Sequence, residues 1–265
     1  MPSPISTSPS SQPARASADV LARVRVVLVR TSHPGNIGAA ARAMMTMGLS
    51  RMTLVAPKRF PHEHATAMAS GATRVLDEAN VVATLDDALA GAGLTIGLTA
   101  RPREFAGRVV SVRTAATEAV ACALHGDAAF VFGTEMSGLT NDELARCTIA
   151  ATIPANPDYA SLNLAAAVQV AVYEARVAAE SDRVWAAPRF ALATQDEIEG
   201  LHAHARQTLT ALAFFDPRMP KRLLPRLRRL FGRSGLEREE VNILRGVLAR
   251  VDELIDAGAD GRRRS

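Results

Sequence analysis

The sequence predicts an α/β fold, a mainly parallel sheet with helices on both faces, followed by a small helical extension. Three observations carry this expectation. Short runs rich in Val, Ile, Leu and Phe are almost continuously apolar, as in strands buried on both faces. Helical patterns fall between those runs at the spacing of βαβ units. Past residue 193 only helical patterns remain.

Taken in order, Met1 to Ala18 is rich in Ser and Pro, lacks the apolar core of a signal peptide, and reads as a disordered leader reaching residue 20. Val24 to Val29 is the first strand and Thr31 to Gly35 a loop. Asn36 is expected to cap a helix whose apolar positions Ile37, Ala40, Ala41, Met44, Met45 and Met47 recur at helical spacing, with Gly48 ending it. Further strands are expected at Met52 to Val55, near Val81, and at Leu94 to Leu98, Ala128 to Phe132 and Thr148 to Ile153. Helices are expected at Glu63 to Ala69, Leu85 to Ala90, Thr114 to Leu124, Asn141 to Cys147 and Leu162 to Ala179. The expected domain thus spans residues 21–180. Residues 181–193, with Trp185 and Pro188, read as a linker, and 194–265 as a helical extension.

Composition narrows the functional classes. With 265 residues and 48% hydrophobic side chains the chain can bury a real core. Its net charge of +4 is mild, but Pro217 to Arg233 carries seven basic residues and no acid. Such a stretch either meets phosphate or is a solvated helix face. There, Leu223, Leu227, Leu230 and Phe231 can share one face while Arg222, Arg226, Arg229 and Arg233 share the other, with Pro225 in a first turn. Cys122 and Cys147 show no metal-ligand spacing and read as buried thiols in a reducing compartment, so no metal site is expected. No run approaches a membrane span, and a cytoplasmic protein is expected.

Three distant segments read as one site: Asn36 to Arg42, Phe132 to Leu139, and Ser161 to Ala165. Each lies at a strand end or helix start, where an α/β protein places its ligand. Leu98-Thr99-Ala100-Arg101-Pro102-Arg103 also leaves a strand, and could hold a ligand by its backbone and face polyanions with Arg101 and Arg103 or simply be a solvated loop. Glu135 is best suited to accept backbone or ligand N–H groups. His33 is either a general base or a turn residue. Arg42 either snorkels or faces the site together with Asn36. Gly91 to Gly97 imitates a dinucleotide loop but ends a helix and enters a strand, and no P-loop occurs.

The pattern Thr31-Ser32-His33…Gly35-Asn36-Ile37-Gly38…Ala41-Arg42, with Phe132-Gly133…Glu135…Gly138-Leu139-Thr140-Asn141 and Asn156-Pro157…Tyr159…Ser161-Leu162-Asn163-Leu164-Ala165, resembles the SPOUT-superfamily RNA 2′-O-methyltransferases, and most the bacterial TrmJ type. The likeness resumes in Lys221 to Phe231 and Glu240 to Gly246, which resemble that type's C-terminal extension.

The resemblance implies a C-terminal trefoil knot, a rare exception to unknotted topology, and methylation of cytidine or uridine 32 in the tRNA anticodon loop. It implies S-adenosylmethionine held by Leu98, Thr99 and Ala100, by Gly133, and by Ile153, Ser161, Leu162 and Asn163, in a homodimer that shares its sites. It makes Arg42 the ribose base. A guanidinium rarely gives up a proton, however, so holding phosphate and stabilising alkoxide charge suits it better. Ser161 would then orient the 2′-hydroxyl and Asn36 fix the adjacent ribose or phosphate, while Arg101, Arg103, Arg222, Arg226 and Arg229 would meet RNA. Thr134 departs from the Arg common in related sequences. Two alternatives stay open: methylation of another tRNA or rRNA nucleotide, and RNA binding without catalysis.

Overall fold

The computed structural model describes residues 12–100, 108–180 and 191–263. Arg101 and Arg103 therefore lie outside the described residues, as does most of the expected linker.

Seven parallel strands form one sheet in the order β3-β2-β1-β6-β4-β7-β5. They are β1 (Val24–Val29), β2 (Arg51–Val55), β3 (Asn80–Val82), β4 (Ala92–Leu98), β5 (Arg108–Ser111), β6 (Asp127–Phe132) and β7 (Ile149–Thr152). Alternation along β1 divides the core. Val26 and Leu28 join Phe130, Ile96 and the large cluster under α2 (Pro34–Thr46), α6 (Val112–Ala123) and α8 (Leu164–Glu180). Val27 and Val29 face the smaller cluster with Leu85, Leu89 and Leu144, from α5 (Leu85–Leu89) and α7 (Asn141–Ala145). Burial on both faces explains the unbroken apolar run. The late strands β6 and β7 enter between strands already laid down, an order consistent with a threaded C-terminal half.

Two elements depart from the sequence expectation at the amino end. Residues expected in a disordered leader form α1 (Gln12–Leu21). Its Ser17 Oγ donates to the Ala179 carbonyl (2.9 Å) and Leu21 is fully buried, so the Ala-rich turn is held by packing against α8. The helix α2 begins at Pro34 rather than at an Asn36 cap. Pro34 is preset for the first helical position, with no N–H to lose. The predicted end holds, since Gly48 adopts φ +84° just past it.

Helix α3 (Glu63–Ala69) crosses α2 in direct backbone contact, because a Cβ on Gly38 would lie 2.0 Å from the Ala65 carbonyl oxygen. After α4 (Thr73–Asp77) and β3, the chain adds the rest of the sheet. The extension comprises α9 (Gln195–Ala211), α10 (Leu223–Ser234) and α11 (Arg238–Arg263), around a small core of Leu201, Leu236 and Val241. Residues 191–193 belong to it rather than to a linker, since Ala193 N donates to the Leu236 carbonyl (2.9 Å). It docks at the amino ends of β4 and β7, where Asp196 accepts from Gly91 N (3.0 Å) and Gln195 donates to the Arg146 carbonyl (2.9 Å). Among the described residues no helix is long and apolar enough to cross a membrane.

Candidate methyl-transfer site

The strands β1, β6, β4 and β7 are neighbours, so the loops leaving their carboxyl ends form one continuous rim. At its centre is Glu135, three residues beyond the end of β6, just past the Gly133-Thr134 exit. Its carboxylate accepts from Ser32 N (3.2 and 3.1 Å), Ser32 Oγ (2.8 Å), His33 N (3.0 Å) and Asn36 Nδ2 (3.1 Å). Burial alone would raise this carboxyl, but the His33 and Ser32 amides and the Asn36 side chain outweigh it and hold it at about 2. The expectation that Glu135 accepts N–H groups is met by the chain itself.

Asn36 relays the contact onward, its Oδ1 accepting from Asn163 Nδ2 (3.1 Å). Asn163 in turn caps α8, accepting from Ala165 N (2.9 Å). One hydrogen-bonded chain, Glu135 to Asn36 to Asn163, thus joins the three segments. Asn36 has left the capping role for this one, because both ends of its amide are committed.

The remaining candidates take definite positions. Thr99 N donates to the Ala151 carbonyl (3.0 Å), which seats Leu98, Thr99 and Ala100 beside the end of β7. Leu98 is buried, Thr99, Ile153 and Leu162 are half-buried, and Ala100 and Ser161 are exposed. Gly133 is required by the chain's own backbone. A Cβ there would lie 2.0 Å from the Gly138 carbonyl carbon and 2.1 Å from Leu139 N, so its space is filled by the chain's own turn. Thr134 closes that turn, pairing with Gly138 and placing its hydroxyl 2.8 Å from Ser137 Oγ. Arg42 is exposed on α2, one turn beyond Ala39, and stands outside the network.

The structure does not bring Arg222, Arg226 and Arg229 into the Glu135–Asn36–Asn163 network. Arg226 and Arg229 are exposed on α10, and Arg222 sits at its start. The expected apolar face of α10 is incomplete. Leu230 is 50% exposed, while Arg228 turns inward to a bidentate pair with Glu199 (2.5 Å for each bond). Beside that pair His202 rests on Phe231, its ring centroid 5.6 Å away, and burial followed by the Arg228 charge lowers it to about 4. Both cysteines are buried, and burial raises Cys122 to about 11 and Cys147 to about 12.

One contribution was missed from sequence. An open cleft of about 430 Å³ adjoins the network, bounded by His33, Gly35, Asn36 and Asn163 on one side and by His64 and Met68 of α3 on the other. Nothing in the spacing of the latter two distinguishes them from a solvated helix face.

Residues 23–173 match the SpoU rRNA Methylase family. The chain belongs to that family. Residues 196–260 match the C-terminal domain of the tRNA methyltransferase TrmJ, so the extension is a TrmJ-type one. The chain is 47% identical to the tRNA (cytidine/uridine/adenosine-2′-O-)-methyltransferase TrmJ of Pseudomonas aeruginosa, over 89% of this chain and 96% of that one. It is 43% identical to the tRNA (cytidine/uridine-2′-O-)-methyltransferase TrmJ of an Escherichia coli strain, over 88% and 97%. The crystal structure of TrmJ from Z. mobilis superposes with a TM-score of 0.76 at 32% identity, covering 86% of this chain and 98% of that one.

Proposed function

We propose that this methyltransferase transfers a methyl group from S-adenosylmethionine to the ribose 2′-oxygen of cytidine or uridine 32 in the tRNA anticodon loop. The supporting observation is the Glu135–Asn36–Asn163 chain, which rigidifies the rim where three strand-end loops meet. The TrmJ-type extension and the names of the relatives favour tRNA over ribosomal RNA. An RNA-binding module alone would have no use for so rigidly built a rim.

The residues present fit the donor. Backbone at Leu98 to Ala100 and around Gly133 offers hydrogen-bonding groups, and half-buried Ile153 and Leu162 offer apolar cover for an adenine ring. Ser161, Leu162 and Asn163 complete the third loop. When bound, S-adenosylmethionine supplies a methyl group already activated on a sulfonium.

What remains for the chain is alignment and charge. Asn36 and Asn163, held by Glu135, fix the wall against which the ribose lies, a positioning effect able to supply a large share of rate enhancement. The exposed Ser161 hydroxyl orients the 2′-hydroxyl. Arg42 holds a neighbouring phosphate and stabilises the negative charge growing on the 2′-oxygen, the role a guanidinium can fill without losing its proton. Arg222, Arg226 and Arg229, with Arg101 and Arg103, hold the tRNA backbone. The enzyme acts in the cytoplasm as a knotted homodimer with sites shared across the interface, and needs no metal.

Calorimetry with S-adenosylmethionine tests the donor assignment. Binding that is lost when Leu162 is replaced by Asp supports it, and no heat with the wild-type protein contradicts it.

A further inference from the structure

The two walls of the cleft differ in character. On the α2 side the amide of Asn36 is held at both ends, donating to Glu135 and accepting from Asn163. The α3 side presents His64 and Met68, four residues apart and so on one helix face. Both are exposed, Met68 to 44%. Their position is fixed by the backbone contact of α2 with α3 at Gly38 and Ala65. A Cβ on Gly35 would lie 2.9 Å from His64 Cε1 and 3.3 Å from each ring nitrogen, distances that place it above the ring plane, so one face of the imidazole covers Gly35. The residue is exposed and lines the cleft, so the opposite ring face is the one left to receive a base.

We propose that His64, flanked by Met68, is the surface on which the base of the target pyrimidine stacks. The inference rests on the reaction proposed above. A ribose seated among Asn36, Ser161 and Asn163 carries its base on the carbon next to the 2′ position, so the base projects only a few ångströms from the reacting oxygen. Two rings line that cleft, His33 beside Asn36 and His64 across it on α3, and His64 is the one flanked by a thioether. Bases of single-stranded RNA are commonly held by stacking on His and other aromatic rings. A thioether beside the ring adds a polarizable contact that adapts to its neighbour. Stacking tolerates any base, because each has a π face, so this wall supplies affinity for the splayed nucleotide and not discrimination between cytosine and uracil.

The test is steady-state methylation of an unmodified tRNA by the full-length protein, with wild type, His64→Ala and His64→Phe compared at saturating donor. His64→Ala raises KM for tRNA roughly fivefold to a hundredfold with kcat nearly unchanged, equally for cytidine and uridine targets, and His64→Phe restores KM. A tRNA synthesised with 5,6-dihydrouridine at the target, a puckered base that stacks poorly, loses a similar factor with wild type and nothing more with His64→Ala. A normal KM in His64→Ala overturns the proposal. So does a low kcat with normal KM in His64→Phe, which would make the imidazole a proton carrier. Sedimentation that differs between wild type and His64→Ala would also overturn it, by placing the side chain in a subunit contact. If wild type methylates no tRNA, both this inference and the reaction it rests on fall.

Discussion

Replacing Glu135 by Gln keeps the shape of the side chain but turns one acceptor oxygen into a donor facing donors. The carboxylate receives four N–H or O–H groups from Ser32, His33 and Asn36. Holding it at about 2, against 4.5 for a free side chain, corresponds to about 3 kcal/mol of preference for the ionised form. Partial access to solvent screens this to about 1–2 kcal/mol. For a protein of this size that is a fall in Tm of roughly 2–8 °C at pH 7. Because the folded-state pKa is depressed, the stabilisation is complete above about pH 4.5 and is lost as pH falls towards 2. Denaturant unfolding of both proteins from pH 7 downward should show a gap that is constant to about pH 5 and then closes. A gap independent of pH, or none at pH 7, would refute the reasoning. Methylation should fall together with stability, since Asn36 loses one of its two anchors.

Other perturbations should fail in different ways. Arg42→Ala should lose about 100- to 1,000-fold in kcat while donor affinity, measured by calorimetry, is kept. Neutralising Arg222, Arg226 and Arg229 together should weaken tRNA binding and reduce the slope of log affinity against log salt by about 2, with turnover largely restored at saturating tRNA. Gly133→Ala should cost about 2–4 kcal/mol in unfolding and donor affinity together, because its Cβ collides with the backbone at Gly138 and Leu139. The depressed His202 contributes stability that is complete above about pH 6.5 and fades towards pH 4. His202→Phe should therefore flatten the acid sensitivity of the extension, followed by hydrogen exchange in α9.

Much of this was legible in the sequence, for physical reasons that also mark where legibility stops. β1 matches its expected span, Val24 to Val29, because a strand buried on both faces leaves an unbroken apolar run. β5 escaped notice because an edge strand of four residues, Arg108 to Ser111, carries no periodicity. The amino-terminal helix α1 was hidden by its Ser and Ala content, and only the contact of Ser17 and Leu21 with the domain makes it stable. The kind of group Glu135 would hold was readable, but its partners were not, since Ser32 lies 103 residues away in the chain. The His64 wall was invisible, for it depends on how closely Gly38 lets two helices approach.

The central claim is tested most directly by incubating the purified protein with unmodified tRNA and methyl-labelled S-adenosylmethionine, then mapping 2′-O-methyl groups along the product. The account predicts label on the ribose of pyrimidine 32 in the anticodon loop, absent with Arg42→Ala. Label on a base, label on a ribose outside the anticodon loop, or no transfer to tRNA at all would contradict it.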